Sequence, residues 1–397
     1  MQLIKKLRKP PLIILIIYFT ITIIIISLFL SNLASATTKV TGIDFIGAAT
    51  LPTGYSFQKT ELGGLSGITY DAKNDLYYAI SDDRGQKANP RFYTLKIDLS
   101  TGKLTKDGVT PVAVTTLLNE NNQKFTPRTT DTEGITLTNK ATVLISSEGD
   151  VQKLINPFIK EFSLASGQAI TTLPIPNKFL PDSKNQQGIR NNLAFESLTI
   201  TPNNQSLFTA TENSLIQDGA AAKPGFANSC RILQYSLDNN QPEKEFLYQT
   251  EPVTPLFNFT GRFDSGLTDL LSLDNQGHLL SLERTFTGLG FAISLFQVSL
   301  ENADDIHNLD SLSAVDIKKI KPVEKKLLLD LQTLDVALDN IEGLTLGSKL
   351  PDGQTSLILV SDNNFNRLQS TQILAFKLKL ESPLTRLLRL LPVPIPQ

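Results

Sequence analysis

The sequence predicts an all-β chain folded as a β-propeller, and three observations predict it. One strand motif recurs five times. Each copy is followed by a second short apolar strand that ends in acid or amide residues. A further strand near residue 45 is placed to complete the last unit.

The motif is Leu65-Ser66-Gly67-Ile68-Thr69, and it returns as Thr132-Glu133-Gly134-Ile135-Thr136. It recurs as Phe195-Glu196-Ser197-Leu198-Thr199, as Leu267-Thr268-Asp269-Leu270-Leu271 and as Ile341-Glu342-Gly343-Leu344-Thr345, at spacings of 67, 63, 72 and 74 residues. The second strands end at Asp82-Asp83, Glu148, Glu212-Asn213, Glu283 and Asp362-Asn363. Further short apolar strands follow at Phe92–Asp98, Ile159–Leu164, Ile232–Leu237, Ile293–Leu300 and Gln372–Leu378. Turns at Asp71–Asp75, Asn203-Asn204, Asp274–Gly277 and Pro351-Asp352-Gly353 break the strands. Three to four strands per unit without helical periodicity read as blades: five, or six if one unit has degenerated. Thr41–Leu51 is expected to close the ring beside Gln372–Leu378.

Composition bounds the chemistry. The chain has 397 residues, 41% hydrophobic and 19% charged, with a formal net charge of −2. A basic face for nucleic acid is not expected. Cys230 alone forms no internal disulfide and reads as a small buried residue. His278 and His307, two histidines in all, are too few for a histidine-rich metal site, and both read as surface residues. With no G-x-S-x-G elbow, a serine mechanism is disfavoured.

Residues 1–36 read as a targeting segment. Lys5, Lys6, Arg8 and Lys9 precede an apolar run from Pro11 to Leu30, and Ala34-Ser35-Ala36 supplies a small-residue cleavage signal. The segment is either cut after Ala36 or retained, with residues 11–30 as a membrane anchor. Both readings place the remaining chain outside the cytoplasm, periplasmic or extracellular. Loss of residues 1–36 leaves 33 basic against 39 acidic residues, a net −6 that suits cations. The propeller is expected over 37–380 and a tail over 381–397. The segment Asp304–Lys326 reads as an insertion in the fourth unit and Gln217–Ser229 as a surface loop. The chain is expected to be a monomer that touches membrane only through an uncleaved N-terminal segment.

Gly67, Gly134 and Gly343 read as packing residues that let inner strands approach one another. The carboxylates are costlier, because a buried acid must be paired, hydrated or bound to a cation. Glu133, Glu196 and Glu342 hold one place in three units, and Asp82, Glu148, Glu212, Glu283 and Asp362 form a second expected ring. Such oxygens suit Ca²⁺ or Mg²⁺, with Glu133, Glu196, Glu342, Asp82 and Asp362 as candidate ligands. The alternative is a hydrated tunnel whose acids pair with Arg84, Arg190, Arg262, Arg284 and Arg367.

These residues carry a resemblance. Gly64-Leu65-Ser66-Gly67-Ile68 with Ile80-Ser81-Asp82-Asp83 resembles the opening of the phytase-like domain family, described as having esterase-like activity of phytase type. Asn192-Leu193-Ala194-Phe195-Glu196-Ser197-Leu198 is similar to its central strand. Asn340-Ile341-Glu342-Gly343-Leu344 with Ser361-Asp362-Asn363-Asn364-Phe365 is similar to its C-terminal signature. The resemblance implies a β-propeller and a hydrolase acting on phosphate esters; the true β-propeller phytases are six-bladed and calcium-dependent. The five-blade count and Thr268-Asp269 depart from that pattern.

Three functions follow as expectations. The first is metal-assisted hydrolysis of a phosphate ester. Glu196, with Glu148 or Glu212 as general base, would act there, and Arg190, Arg262, Arg284 or Arg367 would grip phosphate. The second is a non-phosphate esterase or lactonase on a small-molecule ester, and the third an exported binding propeller without catalysis.

Overall fold

The computed structural model describes residues 38–255, 261–288 and 290–381. The expected targeting segment, residues 1–36, and almost all of the expected tail lie outside the described residues. Residues 40–380 form one compact unit. Among the described residues no helix is long and apolar enough to cross a membrane.

The 40–380 unit opens with β1 (Val40–Pro52) and a small hairpin of β2 (Ser56–Phe57) and β3 (Thr60–Glu61). Five four-stranded antiparallel sheets make the blades. Blade 1 holds β4 (Leu65–Asp71), β5 (Leu76–Ser81), β6 (Arg91–Ile97) and β7 (Val109–Thr116). Blade 2 holds β8 (Thr132–Leu137), β9 (Thr142–Ser147), β10 (Phe158–Ser163) and β11 (Ala169–Leu173). Blade 3 holds β12 (Thr199–Ile200), β13 (Ser206–Ala210), β14 (Ser229–Ser236) and β15 (Gln241–Gln249). Blade 4 holds β16 (Asp264–Ser272), β17 (His278–Phe286), β18 (Phe291–Ser299) and β19 (Glu324–Asp330). Blade 5 holds β20 (Asn340–Lys349), β21 (Thr355–Asp362) and β22 (Ser370–Leu380), and β1 supplies its outermost strand. The closing strand is where the sequence put it, and there are five blades.

The middle strands read as continuous apolar runs because both their faces are covered by neighbouring blades. Every residue of β9 and of β21 is buried. Five apolar clusters fill the five interfaces between blades. That between blades 5 and 1, for example, joins Ile358, Val360 and Ile373 to Leu65, Tyr77 and Tyr93. The ring is therefore closed by packing as well as by the β1–β22 ladder.

Two expectations are corrected. His278 is buried, 7% exposed, because it opens β17: its Nδ1 lies 3.1 Å from Asp274 and its Nε2 3.4 Å from Ser299 Oγ. The Asp304–Lys326 insertion ends at Val323, since Glu324–Asp330 is the outer strand of blade 4. Its remainder covers the free edge of β15, where Ile306 N donates to Glu245 O and Val323 N to Leu247 O. Covering an edge strand removes a template for unwanted pairing. Cys230 is buried, as its size and polarity suggest.

Candidate functional site

The inner strands set the site. In four blades the ladder between first and second strands slips at the motif. The slips fall between Leu65 and Gly67, Thr132 and Ile135, Leu267 and Asp269, and Ile341 and Gly343. In blade 3 residues 196–198 sit between the bridge Phe195–Thr211 and the ladder pair Thr199–Phe208. A bulge leaves one residue unpaired and re-aims its side chain. The unpaired positions hold Ser66, Glu133, Glu196, Thr268 and Glu342.

The motif glycines allow the strands to meet. A Cβ on Gly67 would lie 2.6 Å from Glu133 O, one on Gly134 2.7 Å from Glu196 O, and one on Gly343 2.8 Å from Ser66 O. No side chain fits such gaps, so glycine is required for the close backbone approach. Ser66 Oγ then donates to Glu133 O at 3.0 Å, stitching blade 1 to blade 2.

The second ring follows from the register. Leu65 pairs with Ser81, Thr132 with Ser147, Phe195 with Thr211, Leu267 with Glu283 and Ile341 with Ser361. The next residues are Asp82, Glu148, Glu212, Arg284 and Asp362. Glu283 is thus out of the ring by one residue, and side chains alternate faces along a strand. Its carboxylate accepts from Tyr248 Oη at 2.7 Å, Lys325 Nζ at 2.6 Å and Glu251 N at 2.8 Å. The guanidinium of Arg284 takes its place.

These groups surround a cavity of about 730 Å³. Eight carboxylates line it: Asp82, Glu133, Glu196, Glu212, Asp264, Asp339, Glu342 and Asp362. Two guanidiniums, Arg262 and Arg284, join them. Of the residues singled out in the sequence, Glu133, Glu196, Glu212, Glu342, Asp82, Asp362, Arg262 and Arg284 therefore converge. Glu148 lies behind the lining, sharing a hydrogen bond with Glu196 and accepting from Ala194 N. Arg190 does not converge: it lines a separate hollow with Val151 and Asp182, its Nε donating to Ser214 O at 3.0 Å. Arg367 is exposed and outside the lining. Sequence reasoning missed Asp131, Asp264 and Asp339; the available signal was an acid one to three positions ahead of the repeated motif in three units.

Charge crowding governs the electrostatics. Burial, then repulsion from Asp82 and Glu196, lifts the carboxyl of Glu133 well above its ordinary value. Burial, then repulsion from Glu148 and Glu212, does the same for Glu196. Burial, with repulsion from Asp131, pushes Glu148 up to about 8 against the pull of the Ala194 N–H. Glu342 is raised by burial but held down by Arg284 and Asn340. Arg284 balances one side of the cavity: its Nη2 lies 2.8 Å from Glu342 and 3.4 Å from Glu212, and its Nη1 2.8 Å from Asp264. Arg84 holds Asp131 at 2.7 Å through Nε. The pairing of acids with arginine is thus present for Arg84 and Arg284.

On the other side Arg84 lies against Asp131, at the edge of a group of three carboxylates. Asp82, Asp131 and Glu133 place one carboxylate oxygen each within 4.8 Å of one another. The Oδ1 of Asp82 is out of water contact and has no hydrogen-bond donor among the described residues, and the same holds for Glu148 Oε2 and, on the Arg284 side, for Glu212 Oε1. A carboxylate buried without a donor is costly to ionise, and burial, then repulsion from Asp131, hold the Asp82 carboxyl well above its ordinary value. Hard carboxylate oxygens at this spacing fit a divalent ion.

Residues 60–365 match the family described as phytase-like, with esterase-like activity of phytase. The chain belongs to the phytase-like family. No curated protein matches it. Among solved structures, this phytase-like chain is similar to an endo-arabinase from Bacteroides thetaiotaomicron, at 12% identity over 84% of this chain and 98% of that one, with a TM-score of 0.40. It is similar to a thermostable family-43 glycoside hydrolase, at 9% identity over 82% and 96%, with a TM-score of 0.43. A tail fiber of Staphylococcus aureus phage P68 matches at 11% identity over 87% and 54%, with a TM-score of 0.39.

Proposed function

We propose that this phytase-like propeller is an exported hydrolase that uses a divalent cation, Ca²⁺ or Mg²⁺, to cleave a phosphate ester. The observation that carries the reading is the cluster of Asp82, Asp131 and Glu133, where Asp82 Oδ1 has no hydrogen-bond donor and Arg84 is engaged by Asp131. Those three carboxylates would hold the ion. When bound, a divalent cation neutralises phosphate charge and lowers the pKa of a coordinated water. Glu196 lines the cavity with Glu148 behind it, so a proton taken at Glu196 has a second carboxylate to share it. Glu148, with its proton affinity near neutral pH, is suited to general acid–base work. Arg262 and Arg284 would orient the ester oxygens.

A second reading, hydrolysis of a carboxylic ester or lactone, is favoured by one observation. Two of the four arginines expected to grip phosphate lie outside the cavity, and Arg284 is already engaged by three carboxylates. The test follows phosphate release from phytate and simple phosphomonoesters, and hydrolysis of short carboxylic esters and lactones, with and without Ca²⁺, beside Glu196→Gln. Calcium-dependent phosphate release lost in the variant supports the first reading. Turnover confined to carboxylic esters supports the second. Calcium binding with no turnover on either class sinks both and leaves a binding propeller.

A further inference from the structure

The cavity is two-faced. Its lining from blades 1 to 3 is carboxylate and amide, whereas blades 4 and 5 add, beside four carboxylates and two guanidiniums, five apolar side chains: Phe263, Phe286, Phe291, Leu338 and Leu368. They arrive from separate segments. Phe263 precedes β16, Phe286 and Phe291 pair at the tip of the β17–β18 hairpin, Leu338 precedes β20, and Leu368 stands in the β21–β22 connection. The Phe286 and Phe291 rings lie 5.4 Å apart, tilted by 50°. Phe291 and Leu338 rest on the apolar core between blades 4 and 5, which fixes the wall in place. Leu368 is 93% exposed at the rim. One exposed leucine needs no explanation. Five apolar side chains from four segments meeting on one side of an acidic cavity do, because such walls orient the apolar part of a ligand.

We infer that the substrate is an ester carrying one aromatic or branched apolar group, seated against the wall of blades 4 and 5 while the ester lies over the acidic floor. This rests on the hydrolase reading for its chemistry, but the apolar preference is a property of the cavity alone. A polyanion such as a polyol polyphosphate is the poorer fit. It would bring many negative charges to eight carboxylates and two guanidiniums, and would leave the apolar wall in water.

The test compares binding of two probes that cannot be hydrolysed, 1-naphthylphosphonate and methylphosphonate, by titration calorimetry in the presence of Ca²⁺. Binding should be at least about tenfold tighter for the naphthyl probe, from the apolar surface it buries. That ratio should fall severalfold in Leu368→Ser, an exposed position where folding is not at risk, and further in Phe291→Ala. Equal affinity for the two probes, no binding of either, or a ratio unchanged in both variants would overturn the inference. A naphthyl preference in a protein that hydrolyses no ester would sustain the wall and sink the hydrolase reading. Hydrolysis of methyl and naphthyl phosphates with equal KM would do the reverse.

Discussion

Arg284 offers the sharpest test of how the cavity is balanced. Replacing it with Met keeps most of the stem volume, so the change is chiefly electrostatic. In the native protein the guanidinium lies 2.8 Å from Glu342, 2.8 Å from Asp264 and 3.4 Å from Glu212. With about 4 Å between charge centres and an effective dielectric near 20, each attraction is worth about 4 kcal/mol before desolvation. Burying the guanidinium offsets most of that sum, but removing one partner from a buried cluster strands the others, at about 3–5 kcal/mol. Burial already raises the proton affinity of Glu212 and Glu342. Without Arg284 these acids take up protons more readily still, so the cost should be largest at pH 8 and about half as large at pH 5. Urea unfolding of the cation-free protein at both pH values measures it. A deficit under about 0.5 kcal/mol at pH 8, or equal deficits at the two pH values, would refute the idea that Arg284 neutralises this half of the cavity.

Other outcomes are expected on the same grounds. Gly67→Ala places a Cβ 2.6 Å from Glu133 O and should cost about 1–3 kcal/mol in thermal or chemical unfolding. Asp82→Asn should reduce calcium-induced stabilisation, which in the parent protein would be about 2.7 kcal/mol at a calcium concentration one hundred times Kd. For pH, Glu148 moves from 4.5 to about 8 on folding, so the native state holds a proton that the unfolded chain releases. Stability from this group is fully present below about pH 4.5 and is lost as pH rises through about 8. The cation-free protein should therefore melt at lower temperature at pH 8 than at pH 5, and a bound divalent ion should flatten the trend. A melting temperature that climbs steadily to pH 8 without cations would contradict it.

The repeat was legible because each inner strand meets the same constraints. Gly67, Gly134 and Gly343 mark close backbone approaches, and Glu133, Glu196 and Glu342 mark the unpaired residue of a slipped ladder. The closing strand was legible from its apolar run and its place in the repeat. The exchange of Glu283 for Arg284 was not, because register is fixed by pairing and a shift of one residue moves a side chain to the opposite face. Proximity in sequence misled for Arg190. It is six positions from Glu196, yet a turn with Asn192 at φ 59° separates them, and its guanidinium binds loop carbonyls instead. The apolar wall was invisible for another reason. Its side chains come from segments that look like ordinary strand ends, and only the ring brings them to one side. His278 was misplaced because a polar residue after a glycine turn gives no sign that Asp274 and Ser299 await it.

The β1–β22 ladder has a mechanical consequence. Val40 pairs with Leu380, so the chain enters and leaves the ring at the same end of one antiparallel ladder, which continues to Pro52 opposite Ser370. Tension applied between residues 40 and 380 loads the hydrogen bonds one after another, as in opening a zip, rather than all together in shear. The clasp should part at modest force, and blade 5 should give way before blades 2 and 3, whose strands carry no direct load.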